Sequence, residues 1–350
     1  MRHYITFTLV LFLVSLPAIF SSCSSDDSSD INDGVVVSDN NTYYNSTIRP
    51  PFLSEGDSVG VVDVSSTITI SVDSAQSILN RIRRWGLKIK VGAHTFTKTG
   101  NWFPASDVER ASDVQAMIDD PNIRAIIFFR GGYGAIRTIE YLNLLNLRTN
   151  PKWIVGFSDV TVFHYALRTV GLESIHGEMP AKFNSDSVSY DASAESMRSA
   201  LFGKVTGYTT SPSEYNQYGT AKGRLVGGNM TIIANLSETD IDNNFTAPSI
   251  LLIEDVGEQI YAIDRRFQML KRSGKLSRIK GLIIGHFLDT EQEPRWGSSV
   301  YELIHSYASQ LNIPVIYSFP AGHTDPNFSL YMNRDITMTV DANGGKIVFE

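Results

Sequence analysis

The sequence reads as an α/β protein in which a parallel-sheet N-terminal domain is followed by a second α/β domain, and three observations lead there. Short runs such as Ser58–Val64 (SVGVVDV) and Ala125–Phe129 (AIIFF) are almost wholly apolar, as strands covered on both faces are. Between them lie stretches with apolar residues at helical spacing, so strand and helix alternate as in βαβ units. The 350 residues are also about two domains' worth of chain at roughly 100–200 residues per domain.

In chain order, residues 1–23 read as an export signal. Arg2 gives a short basic start, and Tyr4–Phe20 is an apolar run broken only by Thr6, Thr8, Ser15 and Pro17. That run is short for a membrane span and lacks a basic stop-transfer flank. It ends in Phe20-Ser21-Ser22-Cys23, which resembles the cleavage box of bacterial lipoproteins, although Phe20 stands where a smaller aliphatic is usual. The resemblance implies lipidation at Cys23; a plain secretory signal is the alternative. The expected location is then outside the cytoplasm, lipid-anchored to the bacterial outer membrane on its periplasmic or its outer face, with the anchor as the sole membrane contact. Residues 24–51 begin SSDDSSDIND and hold too few apolar residues to bury a core, so they read as a flexible acidic and polar tether.

The N-terminal domain, residues 52–200, opens with the Ser58–Val64 strand. A helix at Ser74–Trp85 carries Ile78, Leu79 and Ile82 on one face, and Gly86 ends it. Strands at Leu87–Val91, Ala125–Phe129 and Trp153–Gly156 alternate with helices at Ala105–Ile118, Ala135–Leu145 and Val160–Val170. From about Asp186 the rhythm changes, and a helix at Ala192–Phe202 leads into the second domain, residues 201–350. There a Gly-, Ser-, Thr- and Tyr-rich region precedes Gly227-Gly228-Asn229, which opens an apolar helix. Strands follow at Ile250–Ile253, Gly281–Ile284, Pro314–Ser318 and Asp335–Val340, with helices at Ala262–Ser273 and Val300–Gln310.

Composition narrows the function. A formal charge of -7 disfavours a surface built to neutralise phosphates, so nucleic acid is not an expected partner. A single cysteine excludes internal disulfides and thiolate zinc clusters, and its place in the signal excludes a cysteine nucleophile.

Four groups of residues could carry chemistry. Ser158, in Gly156-Phe157-Ser158-Asp159, sits where a strand turns into a helix; such a turn exposes a nucleophile beside helix amides, although the commoner role of a serine there is an N-cap. Arg130-Gly131-Gly132-Tyr133-Gly134 follows a buried strand and would bring backbone amides close to an anionic ligand, or simply form a tight turn. Glu254, Asp255 and Glu258 follow the strand ILLI with no histidine at ligand spacing, which favours a carboxylate orienting a histidine over a zinc site. Of seven histidines, His286 and His323 end strands or occupy loops, and residue chemistry leaves both open as the base.

Taken together, RGGYG, GFSDVT, GGN, LLIEDVGEQIYAIDRRFQML and the Gly322-His323 loop resemble the murein LD-carboxypeptidase family of serine peptidases, from about residue 52 to the end. The resemblance implies a flavodoxin-like parallel N-terminal domain and a swivelling C-terminal α/β domain, commonly as a homodimer. It implies Ser158 as nucleophile, Glu254 as orienter and His323 as base, with the Gly132 and Asp159 amides as oxyanion hole. Arg130, Gly131, Tyr133 and Asn229 are assigned to substrate binding, with Arg130, or else Arg265, meeting a terminal carboxylate. No metal and no organic cofactor is implied, and the partners are murein peptides. Two segments depart from the family pattern, Val62-Asp63-Val64-Ser65 and Leu330-Tyr331-Met332-Asn333, and both are expected around the cleft. The rivals are the microcin-immunity type of serine peptidase, which cleaves aspartyl-nucleotide conjugates, and a non-catalytic lipoprotein that binds peptidoglycan fragments. Tyr261–Arg265 (YAIDR) looks more like the murein branch.

Overall fold

A computed structural model describes residues 35–38, 41–44, 46–184, 186, 188–242, 245, 247–290 and 293–350. The export signal, Cys23 and the first part of the tether lie outside the described residues. No helix among those described is long and apolar enough to cross a membrane.

Five parallel strands form the N-terminal sheet: Ser58–Val62, Lys88–Val91, Ile123–Phe128, Trp153–Gly156 and Ser174–His176. Counted along the chain, their spatial order is 2-1-3-4-5, the doubly wound arrangement of flavodoxin-like folds. A sixth strand, Leu330–Met332, runs antiparallel beside Ser174–His176, so the C-terminal half of the chain completes this sheet. Alternation along Ile123–Phe128 explains why both faces are covered. Ala125 and Ile127 pack with Leu79 and Ile82 of helix Val72–Arg84, whereas Ile126 and Phe128 pack with Val114, Met117 and Ile118 of helix Asp107–Asp119. Those two helices start where Ser71 and Ser106 accept hydrogen bonds from Ser74 N and Glu109 N. Each fully buried Leu or Ile stabilises this packing by roughly 1.5–3 kcal/mol.

The second sheet has seven strands in the order Val315–Ile316, Ile279–Leu288, Ser249–Val256, Gly219–Asn229, Asp335–Asp341, Gly344–Phe349 and Gly207–Thr210. The first four are parallel and the last three join antiparallel. The polar region after residue 202 therefore supplies two strands, which its composition does not announce: Gly219–Asn229 is held by partners on both sides rather than by its own propensity.

The helix expected at Ala135–Leu145 is broken into Ala135–Thr138, a 3₁₀ turn at Ile139–Tyr141 and Asn146–Thr149. Asn143 accounts for the break, since its side chain accepts from Leu145 N at 3.2 Å and offers the backbone an alternative to the helical bond.

Candidate active site

At the carboxyl end of strand Trp153–Gly156, Phe157 is still extended, but Ser158 turns to φ 60°. A non-glycine residue there carries roughly 1–3 kcal/mol of backbone strain and stays only where its surroundings hold it. The turn leads through a 3₁₀ segment, Ser158–Val160, into helix Thr161–Thr169. Ser158 does not cap that helix with its side chain; its hydroxyl points elsewhere.

It points to His323. Ser158 Oγ lies 3.1 Å from His323 Nε2, and His323 Nδ1 lies 2.7 Å from Glu254 Oε2. With Nδ1–H donating to the carboxylate, Nε2 is left to accept the serine proton. Glu254 comes from the buried strand Ser249–Val256 and is 0% exposed. His323 arrives on the loop after Val315–Ile316, where Gly322 is at φ 101° and any Cβ would collide with the Glu254 carboxyl, so glycine is what lets this loop close on the acid. Asn327 Oδ1 accepts from Gly322 N at 3.0 Å and holds the loop. Burial pushes the His323 imidazole pKa down, but the hydrogen bond and negative charge of Glu254 outweigh it, and the net result lies above the ordinary histidine value.

Ser158 and His323 open into a cavity of about 410 Å³ that is also lined by Arg130, Gly131, Gly132 and Lys182. It lies beyond the carboxyl ends of the parallel strands, where a doubly wound sheet leaves a crevice. A Cβ on Gly131 would stand 3.6 Å from Ser158 Oγ, which measures how closely that loop approaches. The backbone N–H groups of Gly132 and Asp159 have no hydrogen-bond partner among the described residues.

Two family models match the chain, the LD-carboxypeptidase N-terminal domain over residues 59–177 and the LD-carboxypeptidase C-terminal domain over residues 222–338. The chain belongs to the LD-carboxypeptidase family. It is thus a peptidase, a hydrolase. The murein tetrapeptide carboxypeptidase of Pseudomonas aeruginosa is 25% identical over 271 residues, 75% of this chain and 88% of the relative. The crystal structure of a muramoyltetrapeptide carboxypeptidase from Oxalobacter formigenes superposes with a TM-score of 0.75 at 23% identity, covering 83% of this chain and 98% of that one. The microcin C7 self-immunity protein MccF in complex with aspartyl sulfamoyl adenosine gives a TM-score of 0.76 at 22% identity, covering 86% and 98%. Both structures share the fold of this LD-carboxypeptidase-family chain.

The other residues singled out by sequence fall into distinct places. Arg130 lines the cavity; its Nη1 donates to Thr67 O at 2.7 Å, and its remaining donors have no hydrogen-bond partner among the described residues. Tyr133 is exposed, 6.0 Å from the Phe103 ring, and does not line the cavity. Asn229 does not line it either. Its Oδ1 accepts from Ile232 N at 3.1 Å as a helix cap, its Nδ2 donates to Asp255 at 2.9 Å, and its backbone N–H donates to Thr161 Oγ1 at 3.0 Å. Because Asn229 pairs in register with Glu254, these bonds tie the strand carrying the acid to the helix that follows Ser158. Arg265 is exposed over the Tyr261 ring, away from the cavity lining.

Asp159 is buried, and its carboxylate accepts from Ser65 Oγ at 2.6 Å and Ala135 N at 2.8 Å, which anchors the serine turn to the helix after RGGYG. Burial raises its pKa, and it raises those of Asp63 to about 7 and Asp255 to about 6. Ser65 thereby gives one of the two departing segments a place beside the serine turn. The other, Leu330–Asn333, is buried: Asn333 Nδ2 donates to Leu172 O at 3.0 Å, and the segment is not among the cavity's lining residues.

His286 is half-buried and absent from the cavity lining, which separates it from His323. His164 sits under the serine strand, with Nε2 3.0 Å from Gly156 O and Nδ1 2.8 Å from Ser174 Oγ, and burial pushes its pKa down to about 4, so it stays neutral. Sequence reasoning overlooked Glu178 and Lys182, which lie beside His323. They belong to the segment after Ser174–His176, where Lys182 ends a single 3₁₀ turn at Pro180–Lys182, and no periodicity marks them.

Proposed function

We propose that the protein is a serine LD-carboxypeptidase that removes the terminal D-alanine from murein stem tetrapeptides through an acyl-enzyme. The observation that carries this is the continuous hydrogen-bonded chain Ser158–His323–Glu254 opening into a cavity, in a member of this family. Ser158 Oγ attacks the carbonyl carbon of the L-centre of the diamino acid while His323 Nε2 takes its proton, and buried Glu254 stabilises the imidazolium that forms. The unpartnered N–H groups of Gly132 and Asp159 are the donors for the oxyanion. Collapse breaks the C–N bond, His323 returns the proton to the leaving amine, and D-alanine departs. Water, deprotonated by His323, then releases the tripeptide and restores Ser158. Arg130 meets the terminal carboxylate with its free donors. Export and acylation at Cys23 complete this reading, and the Cys23→Ala protein should fail to incorporate labelled fatty acid.

The test is D-alanine release from purified murein tetrapeptide, with Ser158→Ala and a chelator in parallel. Release that survives the chelator and vanishes in the variant supports the reading. Cleavage of an aspartyl-nucleotide conjugate with no release from tetrapeptide would assign the microcin-immunity reaction instead. Tetrapeptide binding without turnover in both proteins would assign a non-catalytic binder.

A further inference from the structure

We infer that Asp63 is a positioning residue for the oxyanion hole, acting through Ser65 on the serine turn, and that it does so only while its own carboxyl carries a proton. This deepens the proposed function and rests on it. Asp63 belongs to Val62-Asp63-Val64-Ser65, one of the two segments that depart from the family pattern, so the family motifs do not prescribe it.

The chain just after strand Ser58–Val62 touches both elements that carry the oxyanion donors. Ser65 Oγ donates to Asp159 Oδ2 at 2.6 Å, which ties it to one of them. Ser66 Oγ accepts from Tyr133 N at 3.4 Å, and a Cβ on Gly132 would collide with the same oxygen. Asp63 sets the shape of this segment: its Oδ1 accepts from Ser65 N at 3.0 Å, a side-chain turn that fixes the Ser65 backbone. An asparagine would build that turn equally well. What an aspartate adds is a second oxygen able to gain or lose a proton, and Asp63 Oδ2 is buried without a partner among the described residues, as is Asp159 Oδ1.

Two acids, 0% and 1% exposed, thus converge on one serine. Two buried negative charges so placed are costly, and a single proton relieves the cost. Asp159 Oδ2 accepts from Ala135 N as well as from Ser65 Oγ, which suits the ionised partner, so Asp63 takes the proton. The charged groups facing Asp63 are Asp159 from the serine turn, Arg130 from the loop after Ile123–Phe128, and Arg110 from helix Asp107–Asp119, whose Nη1 donates to Val64 O. Burial lifts the Asp63 pKa most, the Asp159 charge adds to the rise, the two guanidinium groups oppose it, and the result is about 7. As pH rises through that value, Asp63 gains a charge that repels Asp159 across Ser65, and the serine turn loses its anchor.

The test is kcat and KM for D-alanine release by the full chain against pH, for the unaltered protein, Asp63→Asn and Asp63→Ala, with thermal melts to show each folded. In the unaltered protein kcat should fall above about pH 7, by up to roughly a hundredfold at about pH 9, where about 1% of Asp63 stays protonated. Neither variant can ionise at this position, so both should lack that alkaline limb, and Asp63→Asn should turn over roughly tenfold to a hundredfold faster than the unaltered protein at about pH 9. A residue that merely shores up the fold cannot produce such a gain. Asp63→Ala also loses the acceptor for Ser65 N, so its kcat should lie about tenfold or more below that of Asp63→Asn at every pH, with KM little changed, because the oxyanion forms only as the reaction proceeds. An alkaline limb that stays in place in both variants, or equal kcat in Asp63→Asn and Asp63→Ala, overturns the proposal while the carboxypeptidase reading stands. No release by the unaltered protein at any pH overturns both.

Discussion

Replacing Glu254 with glutamine keeps the shape of the fully buried side chain and removes its charge. In the structure that charge faces His323 Nδ1 at 2.7 Å. Charge centres about 4 Å apart at an effective dielectric near 20 attract by roughly 4 kcal/mol, and closer centres by roughly 6. The attraction matters only when the imidazolium forms, so it lowers the barrier rather than tightening ground-state binding. Its loss should cost about 4–6 kcal/mol, on the order of 10³- to 3 × 10⁴-fold in kcat, with little change in KM. The carboxamide can also turn its NH₂ towards Nδ1, which then becomes the acceptor and places the ring proton on Nε2, the wrong atom to receive a proton from Ser158.

The pH profile gives an independent sign. The active form has neutral His323, so activity falls as pH drops through the His323 pKa. In the unaltered protein that pKa is above the ordinary value because Glu254 outweighs burial. Without the charge, burial prevails and the acid limb of kcat/KM should move to lower pH in Glu254→Gln. The assay is D-alanine release followed through a D-amino acid oxidase couple across the pH range, with thermal melts to show both proteins folded. A kcat within tenfold of the unaltered protein, or an acid limb that stays in place or moves upward, would refute the electrostatic role given to Glu254.

Three further outcomes are expected. Ser158→Ala and Ser158→Gly should both lose turnover, but the glycine form, free of a side-chain clash at φ 60°, should be the more stable by about 1 kcal/mol in urea unfolding. Gly322→Ala forces a methyl against the Glu254 carboxyl; a displaced His323 should lower kcat at least a hundredfold and stability by roughly 2–4 kcal/mol, both measurable on one preparation. Lys275→Met leaves Asp242 without a buried ammonium that now lies 2.7 Å from both its oxygens, so the protein should lose about 3–5 kcal/mol of stability, and kcat measured well below the new melting point should be unaltered.

Much of the chemistry was legible because it sits at punctuation. Ser158 follows the apolar strand Trp153–Gly156, Glu254 follows the apolar run Ile250–Ile253 within its strand, and Arg130–Gly134 follows Ile123–Phe128, so period and turn residues mark them without any knowledge of the fold. Asn229 shows where the resemblance and the geometry part: it is assigned to substrate binding with the family motifs, yet its amide serves as cap and strut. Gly207–Thr210 and Gly219–Asn229 were hidden as strands because their order comes from neighbours distant in sequence, and Leu330–Met332 returns to the N-terminal sheet for the same reason.

The sequence by itself determined the alternation of buried strands and amphipathic helices, the doubly wound N-terminal half, and the short set of residues able to act as nucleophile, acid partner and base. Those properties are local: they follow from side-chain size, polarity and spacing along a few turns or pleats. Only the tertiary structure placed His323 at the cavity with His286 outside its lining, set Asn229 apart from it, and brought Glu178 and Lys182 beside the imidazole. The physical reason is distance along the chain. Ser158 and His323 are 165 positions apart, and a 3.1 Å contact across that span exists only because two sheets, built from different parts of the chain, pack with their strand ends facing one cleft.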